Sequence, residues 1–133
     1  MEAYGRTDYC VRGPTHPFVI RLGMVCPDVS SKQWAYITAC NPRSKRLSDD
    51  ENRRRTSELE RHLSDAGYTY FTGESVAWDG TWPPEPSFLV LDISPQEARQ
   101  IGQMFDQWAI VVGGPNHPAE LLWLDTGDSE STG

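Results

Sequence analysis

Short apolar and aromatic runs alternate with polar stretches along this chain, and their periodicity predicts seven strands. Each run is bounded by Gly, Pro or clusters of polar residues, which favour turns. The predicted strands are Thr7–Arg12, Phe18–Leu22, Trp34–Ala39, Tyr68–Phe71, Ser87–Ile93, Ala109–Val112 and Glu120–Leu124. The third run is apolar at nearly every position, which is typical of a strand that is buried on both faces.

A first long helix is predicted after the third strand. Ser48 and Glu51 have the spacing of a capping box, in which each side chain bonds to the backbone amide of the other residue. Gly67 suits the C-terminal cap. The apolar stripe of this helix consists of Leu59, Leu63 and Ala66. Extended backwards, the stripe passes through Thr56 and Asn52, so the first half of the same face is polar.

A second long helix is predicted between the fifth and sixth strands. Ser94 and Glu97 form another capping box, and Pro95 occupies the first helical position. Its apolar stripe is expected to comprise Ala98, Ile101, Phe105 and Trp108. One or two helical turns are also expected within Cys26–Gln33.

The order of these elements, β-β-(α)-β-α-β-β-α-β-β, predicts an α/β fold at the border with α+β. Because a helix usually returns the chain to a parallel strand, we expect a mixed central sheet of about five to seven strands that packs with two main helices. A chain of 133 residues suits a single domain, here residues 1–124. Residues 125–133 are expected to be a flexible acidic tail.

Charge and cysteine content narrow the function classes. The formal net charge of −7 argues against general binding to nucleic acids or anionic membranes, because like charges repel. No apolar run has the length of a membrane-spanning helix, and the first residues do not resemble a signal peptide. Three cysteines, without a C-x-x-C pair, predict neither a disulfide framework nor a zinc site. We therefore expect a cytoplasmic protein with no membrane association.

The basic residues are nevertheless unevenly distributed. Of the 12 lysines and arginines, seven fall between Arg43 and Arg61. This cluster is interpreted either as a solvated helix face or as a local patch for an anion or a partner.

Several segments resemble one bacterial family that is catalogued only as domain of unknown function 3293. They are residues 35–44, 47–48, 51–52, 82–87 and 105–110, and they occur in the order of the family pattern, so that the resemblance extends over about residues 7–124. Cys40 stands where an aromatic residue is common in the family, and Trp108 where Asn is common. The resemblance implies no established activity, cofactor or partner.

The best candidate binding surface is the loop Asn41–Ser44 together with the polar start of the first long helix. Ends of strands beside helix N-termini commonly bind ligands in α/β sheets. The amides and hydroxyls of this surface suit recognition of a nucleobase, a sugar or a peptide backbone, with arginines that supply charge. Its members are Asn41, Arg43, Ser44, Asn52, Arg53 and Thr56. Alternatively, the asparagines and the serine only form and brace a turn.

A second candidate lies in the turn-rich stretch Gly73–Pro86. Exposed tryptophans and carboxylates on a loop can form the lip of a binding site. The residues concerned are Glu74, Trp78, Asp79, Trp82 and Glu85. Two acids can also act as a general acid and base, but their spacing alone does not establish this. Alternatively, Trp82 packs onto the core and Glu85 bonds to its own loop.

No recognisable catalytic set, cofactor motif or metal-ligand spacing is present in the sequence. The sequence lacks the glycines and the lysine that define a Walker-type phosphate loop. Cys40 lies at the end of an apolar strand and is interpreted as a packed thiol. The leading hypothesis is therefore a non-catalytic binding or regulatory domain for a small polar ligand or a protein partner. The alternatives are a nucleotide-processing hydrolase or transferase, with Glu74 or Glu85 as base and Arg43 or Arg53 on the phosphate, and a structural interaction module, such as a homodimer formed through an exposed strand edge.

Overall fold

The computed structural model describes residues 7–13, 15–29, 32–41, 45–80 and 83–124. The strands are β1 (Thr7–Arg12), β2 (Pro17–Ile20), β3 (Trp34–Ile37), β4 (Thr69–Ala77), β5 (Glu85–Leu91), β6 (Ala109–Gly114) and β7 (His117–Trp123). The helices are α1 (Asp49–Asp65) and α2 (Pro95–Met104), and a short 3₁₀ turn covers Pro27–Val29. The order of elements is the one that the sequence predicted. None of the helices in these ranges is long and apolar enough to cross a membrane.

Both predicted capping boxes form. In α1 the Ser48 hydroxyl accepts from the amide of Glu51 at 3.1 Å, and the Glu51 carboxylate accepts from the amide of Ser48 at 3.3 Å. In α2 the corresponding distances between Ser94 and Glu97 are 3.1 and 3.0 Å. The helix starts are fixed by these local bonds, since the first amides of a helix have no partner within it.

The strands form one sheet in the order β2-β1-β4-β5-β3-β6-β7, and the two helices pack with it in a single domain. The predicted α/β fold with a sheet and two main helices is confirmed. The parallel neighbours expected of a mixed sheet are not formed, because every pairing of the described strands is antiparallel.

The crossover connections explain this difference. The helix α1 joins β3 to β4, and α2 joins β5 to β6, and in each case the two joined strands run in the same direction. One antiparallel strand lies between the members of each pair, β5 in the first case and β3 in the second. The unit from β3 to β6 is thus a split βαβ arrangement of the ferredoxin-like kind.

Each face of the sheet carries its own hydrophobic core. The face under the helices is built from alternate residues of the central strands, together with Leu59 and Leu63 of α1 and Ala98 and Ile101 of α2. The opposite face is concave and rich in aromatic side chains, among them Tyr9, Trp34 and Tyr36. Alternation along the strands sends successive side chains into the two cores, which is why the β3 run is apolar at every position.

The sheet curls until its two ends meet. The amide of Gly23, just after β2, donates to the carbonyl of Ala119 in β7 at 2.8 Å, and the amide of Ala119 donates to the carbonyl of Met24 at 2.9 Å. These bonds occupy part of the β7 edge. The length of edge strand open to a second chain is therefore shortened at this point.

Two sequence-based element limits require correction. Trp108 does not continue the apolar stripe of α2, because the helix ends at Met104 and the Trp108 side chain is 44% exposed. The stretch Gly73–Pro86 is not one long loop either. Strand β4 continues to Ala77 and β5 begins at Glu85, so the connecting segment shortens to residues 78–84.

Candidate functional site

The antiparallel pairing brings three chain segments to one end of the sheet. Because β5 runs opposite to β3 and β4, its first residue, Glu85, lies at the end where those two strands finish. The chain that leaves β3 reaches Asn41 here, and the first turns of α1 return to the same place through Asn52. The polar start of α1 therefore faces the end of β3, as its sequence pattern predicted.

Asn41 is the centre of this site. Its backbone is left-handed, with φ of 46°, a conformation that Asn tolerates better than most residues. Its side-chain oxygen accepts from the amide of Leu47 and from Nδ2 of Asn52, both at 2.9 Å, and its own amide donates to Oδ1 of Asn52 at 2.9 Å. Its Nδ2 donates to Oε2 of Glu85 at 2.7 Å.

Side chains also bond the carbonyls on either side of this turn. Arg55 donates from Nε to the carbonyl of Ala39 at 2.7 Å and from Nη2 to the carbonyl of Phe105. Gln107 donates from Nε2 to the carbonyl of Cys40 at 3.1 Å and to that of Phe105 at 3.3 Å. Phe105 is the C-cap of α2, where carbonyls lack helical partners and carry the negative end of the helix dipole. The positive charge of Arg55 is thereby stabilised by carbonyl oxygens.

Sequence reasoning missed the roles of Arg55 and Gln107. In the sequence Arg55 belongs to the basic cluster, but it also precedes buried Leu59 by four positions and so shares its helix face. Gln107 has no local signal, because its partner Cys40 lies 67 positions away in the chain. We refer to Asn41, Asn52, Arg55 and Gln107 as the bracing cluster.

Glu85 is the ionisable acid in contact with the bracing cluster. Its side chain is partly buried, and among the described residues its hydrogen-bond donor is Asn41. No Lys, Arg or His of the described part of the chain lies within ion-pair distance of its carboxylate. Burial raises its pKa above the ordinary value of 4.5, and the bond from Asn41 lowers it in part. Such a carboxylate can accept a hydrogen bond or a proton more readily than one in water.

Thr56 and Cys40 fill the space beside the asparagines. The Thr56 hydroxyl donates to the carbonyl of Asn52 at 2.8 Å and lies 3.6 Å from the sulfur of Cys40. Cys40 is 2% exposed, and burial raises the pKa of its thiol. A buried thiol with a raised pKa is a poor nucleophile, and its position fits a packing role.

The other candidate residues bond to partners outside the bracing cluster or lie outside the described part of the chain. Glu74 forms an ion pair with Arg12 at 4.0 Å, and Arg53 forms one with Asp50 at 2.7 Å. The indole of Trp78 is 59% exposed and donates to Asp8 at 2.8 Å. Arg43, Ser44 and Trp82 lie outside the described residues. In the ranges that the structure describes, no three His, Cys, Asp or Glu side chains are grouped as metal ligands.

Fold and site together define a small α/β protein in which hydrogen-bonded side chains brace one end of a curled sheet around the partly buried carboxylate of Glu85. The chain belongs to the family described as "Protein of unknown function (DUF3293)", whose model matches residues 37–110, more than half of its length. The resemblance read from the sequence is thus confirmed. The matched range contains the whole bracing cluster and Glu85. No curated protein and no solved structure matches the chain.

Proposed function

We propose that this protein is a non-catalytic binding domain with a regulatory role, whose ligand or protein partner contacts the end of the sheet at Asn41 and Glu85. The observation that carries the proposal is the Glu85 carboxylate, which is partly buried, has a raised pKa and bonds to a neutral amide. A carboxylate gives up hydration when it is buried. A ligand that donates a hydrogen bond to it restores part of that lost stabilisation.

The bracing cluster supports this proposal because it holds the acceptor in a fixed position. Asn41 is itself fixed by Leu47 and Asn52, so a ligand pays little ordering entropy at this end of the sheet. In the proposal, the site is flanked in sequence by Arg43, Ser44 and Trp82. The helix α1 contributes Arg53 and Thr56 to it. Glu74 has Arg12 as a partner and is assigned to the rim.

A thermal-shift screen against nucleotides, sugars and amino acids tests the proposal. A ligand at about 100 times its Kd stabilises the folded protein by about 2.7 kcal/mol. We expect the stabilisation to be lost in Glu85→Gln and retained in Glu120→Gln, which changes an exposed acid on β7. Asn41→Ala is unsuitable as the test variant, because it also removes the bonds that hold the turn. Equal stabilisation of both variants by every ligand would exclude this site.

A second candidate function is a nucleotide-processing hydrolase or transferase, and the raised pKa of Glu85 favours it. A general base works best when its pKa lies near the operating pH, and perturbed carboxylates concentrate at active sites. In this version Glu85 takes a proton from the nucleophile, and Arg53 or Arg43 binds the phosphate. Steady-state turnover of nucleoside phosphates that is lost in Glu85→Gln would favour the enzyme; binding without turnover favours the first proposal.

The proposal places the protein in a bacterial cytoplasm. Its support is the state of the cysteines, since Cys10, Cys26 and Cys40 are all free thiols. Reduced cysteines are typical of the cytoplasm, whereas secreted proteins usually oxidise theirs to disulfides.

A further inference from the structure

We propose that the ligand group bound by Glu85 is a primary ammonium. The inference rests on the proposed binding function and adds the chemical class of the ligand to it. Three observations carry it: the charge around Glu85, the hydrogen bond that Asn41 already makes, and the arrangement of the nearby arginines.

Charge is the first argument. Among the described residues the carboxylate of Glu85 has a neutral amide donor and no ion-pair partner. A partly buried carboxylate without a counter-charge is costly. A cation therefore gains more here than a neutral donor does, because its charge also attracts the carboxylate and this attraction is screened less where water is partly excluded.

The bond from Asn41 distinguishes between two kinds of cation. A guanidinium recognises a carboxylate best through two parallel bonds, one to each oxygen. At Glu85, Oε2 already accepts from Nδ2 of Asn41 at 2.7 Å, so a guanidinium that bonds to both oxygens must share Oε2 with Asn41, which is itself fixed by Leu47 and Asn52. An ammonium is compact and needs only one oxygen. The geometry thus favours an ammonium over a guanidinium.

Two arginines of the adjacent helix, Arg53 and Arg55, are directed to partners other than Glu85. Arg53 is paired with Asp50 at 2.7 Å, and Arg55 is directed to the carbonyls of Ala39 and Phe105. The first turn of α1 contributes three acids, and the whole chain has a net charge of −7. The net charge of the chain favours the approach of a cation at long range.

The test is an NMR titration of the full chain, followed through the Nδ2 amide signals of Asn41. The probe is n-butylamine, with n-butanol as its neutral counterpart and methylguanidine as the competing cation. We expect a saturable shift with butylamine, little or none with butanol, and weaker binding of methylguanidine. Glu85→Gln should weaken amine binding about tenfold or more, as expected when one charged hydrogen bond is lost. Glu58→Gln, which changes an exposed acid on α1, should not weaken it.

A second arm distinguishes the source of the ammonium. Nα-acetyl-lysine amide, whose side-chain ammonium is free, represents a lysine of a protein partner. Butylamine represents a small metabolite amine. Absence of a butylamine shift, an equal shift with butanol, or unchanged binding by Glu85→Gln would each overturn the ammonium assignment. Should a neutral ligand from the thermal-shift screen still bind in a Glu85-dependent way, the binding function would stand and only the ammonium would be wrong.

Discussion

Asn41 shows how one residue organises this end of the sheet. With φ of 46° it turns the chain sharply after β3, and its side chain then contacts Leu47, Asn52 and Glu85. An apolar residue in this position would both strain the backbone and leave the amide of Leu47 without its acceptor. The turn and the proposed ligand site therefore depend on the same side chain.

The pKa of Glu85 predicts a pH dependence of stability. Burial raises this pKa in the folded protein above 4.5, so the folded state binds the proton more tightly than the unfolded chain. Glu85 thus contributes stability that is fully present below the unfolded value and is lost as the pH rises through the folded pKa. The free energy of unfolding of the wild type, relative to Glu85→Gln, should fall as the pH rises above about 4.5, by about 1.4 kcal/mol for each tenfold difference in proton affinity between the folded and unfolded states.

Urea denaturation of both proteins at several pH values measures this difference. The matched control is Glu58→Gln, which removes an exposed acid from α1. A wild-type stability that rises relative to Glu85→Gln over the same pH range would contradict the direction given for Glu85.

At the scale of elements, Arg55 joins both helices to the sheet. It belongs to α1, it bonds to the carbonyl of Ala39, just after β3, and it also bonds to the C-terminal cap of α2. Its guanidinium carbon lies 5.8 Å from the centre of the Phe105 ring, close enough for a cation–π contact. One side chain thus sets the spacing of three elements.

Arg55→Lys should destabilise the protein although it keeps the charge. An ammonium cannot reproduce the planar fork that reaches two separate carbonyls. We expect a loss of about 1.5–3 kcal/mol in the free energy of unfolding, the range for hydrogen bonds to charged groups. Chemical denaturation measures it, with Arg54→Lys, exposed on the same helix, as control. Similar losses in both variants would show that the fork has no special role.

At the scale of the whole molecule, the curled sheet contains a close approach between β1 and β4. Gly73 in β4 is paired with Val11 in β1 and lies against the carbonyl of Cys10, which also accepts from the hydroxyl of Tyr36 at 2.6 Å. A Cβ on Gly73 would lie 2.0 Å from the same carbonyl oxygen. No side chain can be accommodated there while the two strands remain paired.

Gly73→Ala is therefore expected to destabilise the fold by about 2 kcal/mol or more, in the range of overpacked cores. A glycine in a strand would otherwise be improved by alanine, because alanine lowers the entropy of the unfolded chain. Gly114→Ala is the control, since its nearest atom would be Cγ of Gln33 at an ordinary 3.6 Å. Thermal unfolding of the two variants gives the comparison, and a Gly73→Ala protein as stable as the control would refute the close approach.

The elements were predictable because their signals are local. The capping boxes at Ser48 and Ser94 involve residues three positions apart, and the strand runs are recognisable from their own composition. A prediction failed where a periodic pattern continues beyond the element that it indicates. The apolar spacing of α2 continues in the sequence to Trp108, but the helix ends at Met104. The candidate site was predicted in part, since Asn41, Asn52 and Glu85 meet, whereas Arg55 and Gln107 were not recognised.

The sequence by itself determined the type and order of the elements, the helix starts and the polar face of α1, because each depends on residues a few positions apart. Only the tertiary structure decided which strands are neighbours, how the sheet curls, and that Glu85 meets Asn41. That contact joins positions 44 apart, and the bonds of Arg55 and Gln107 join positions 50 and 67 apart. Such contacts have no local pattern, since they depend on how the strands pair across the sheet.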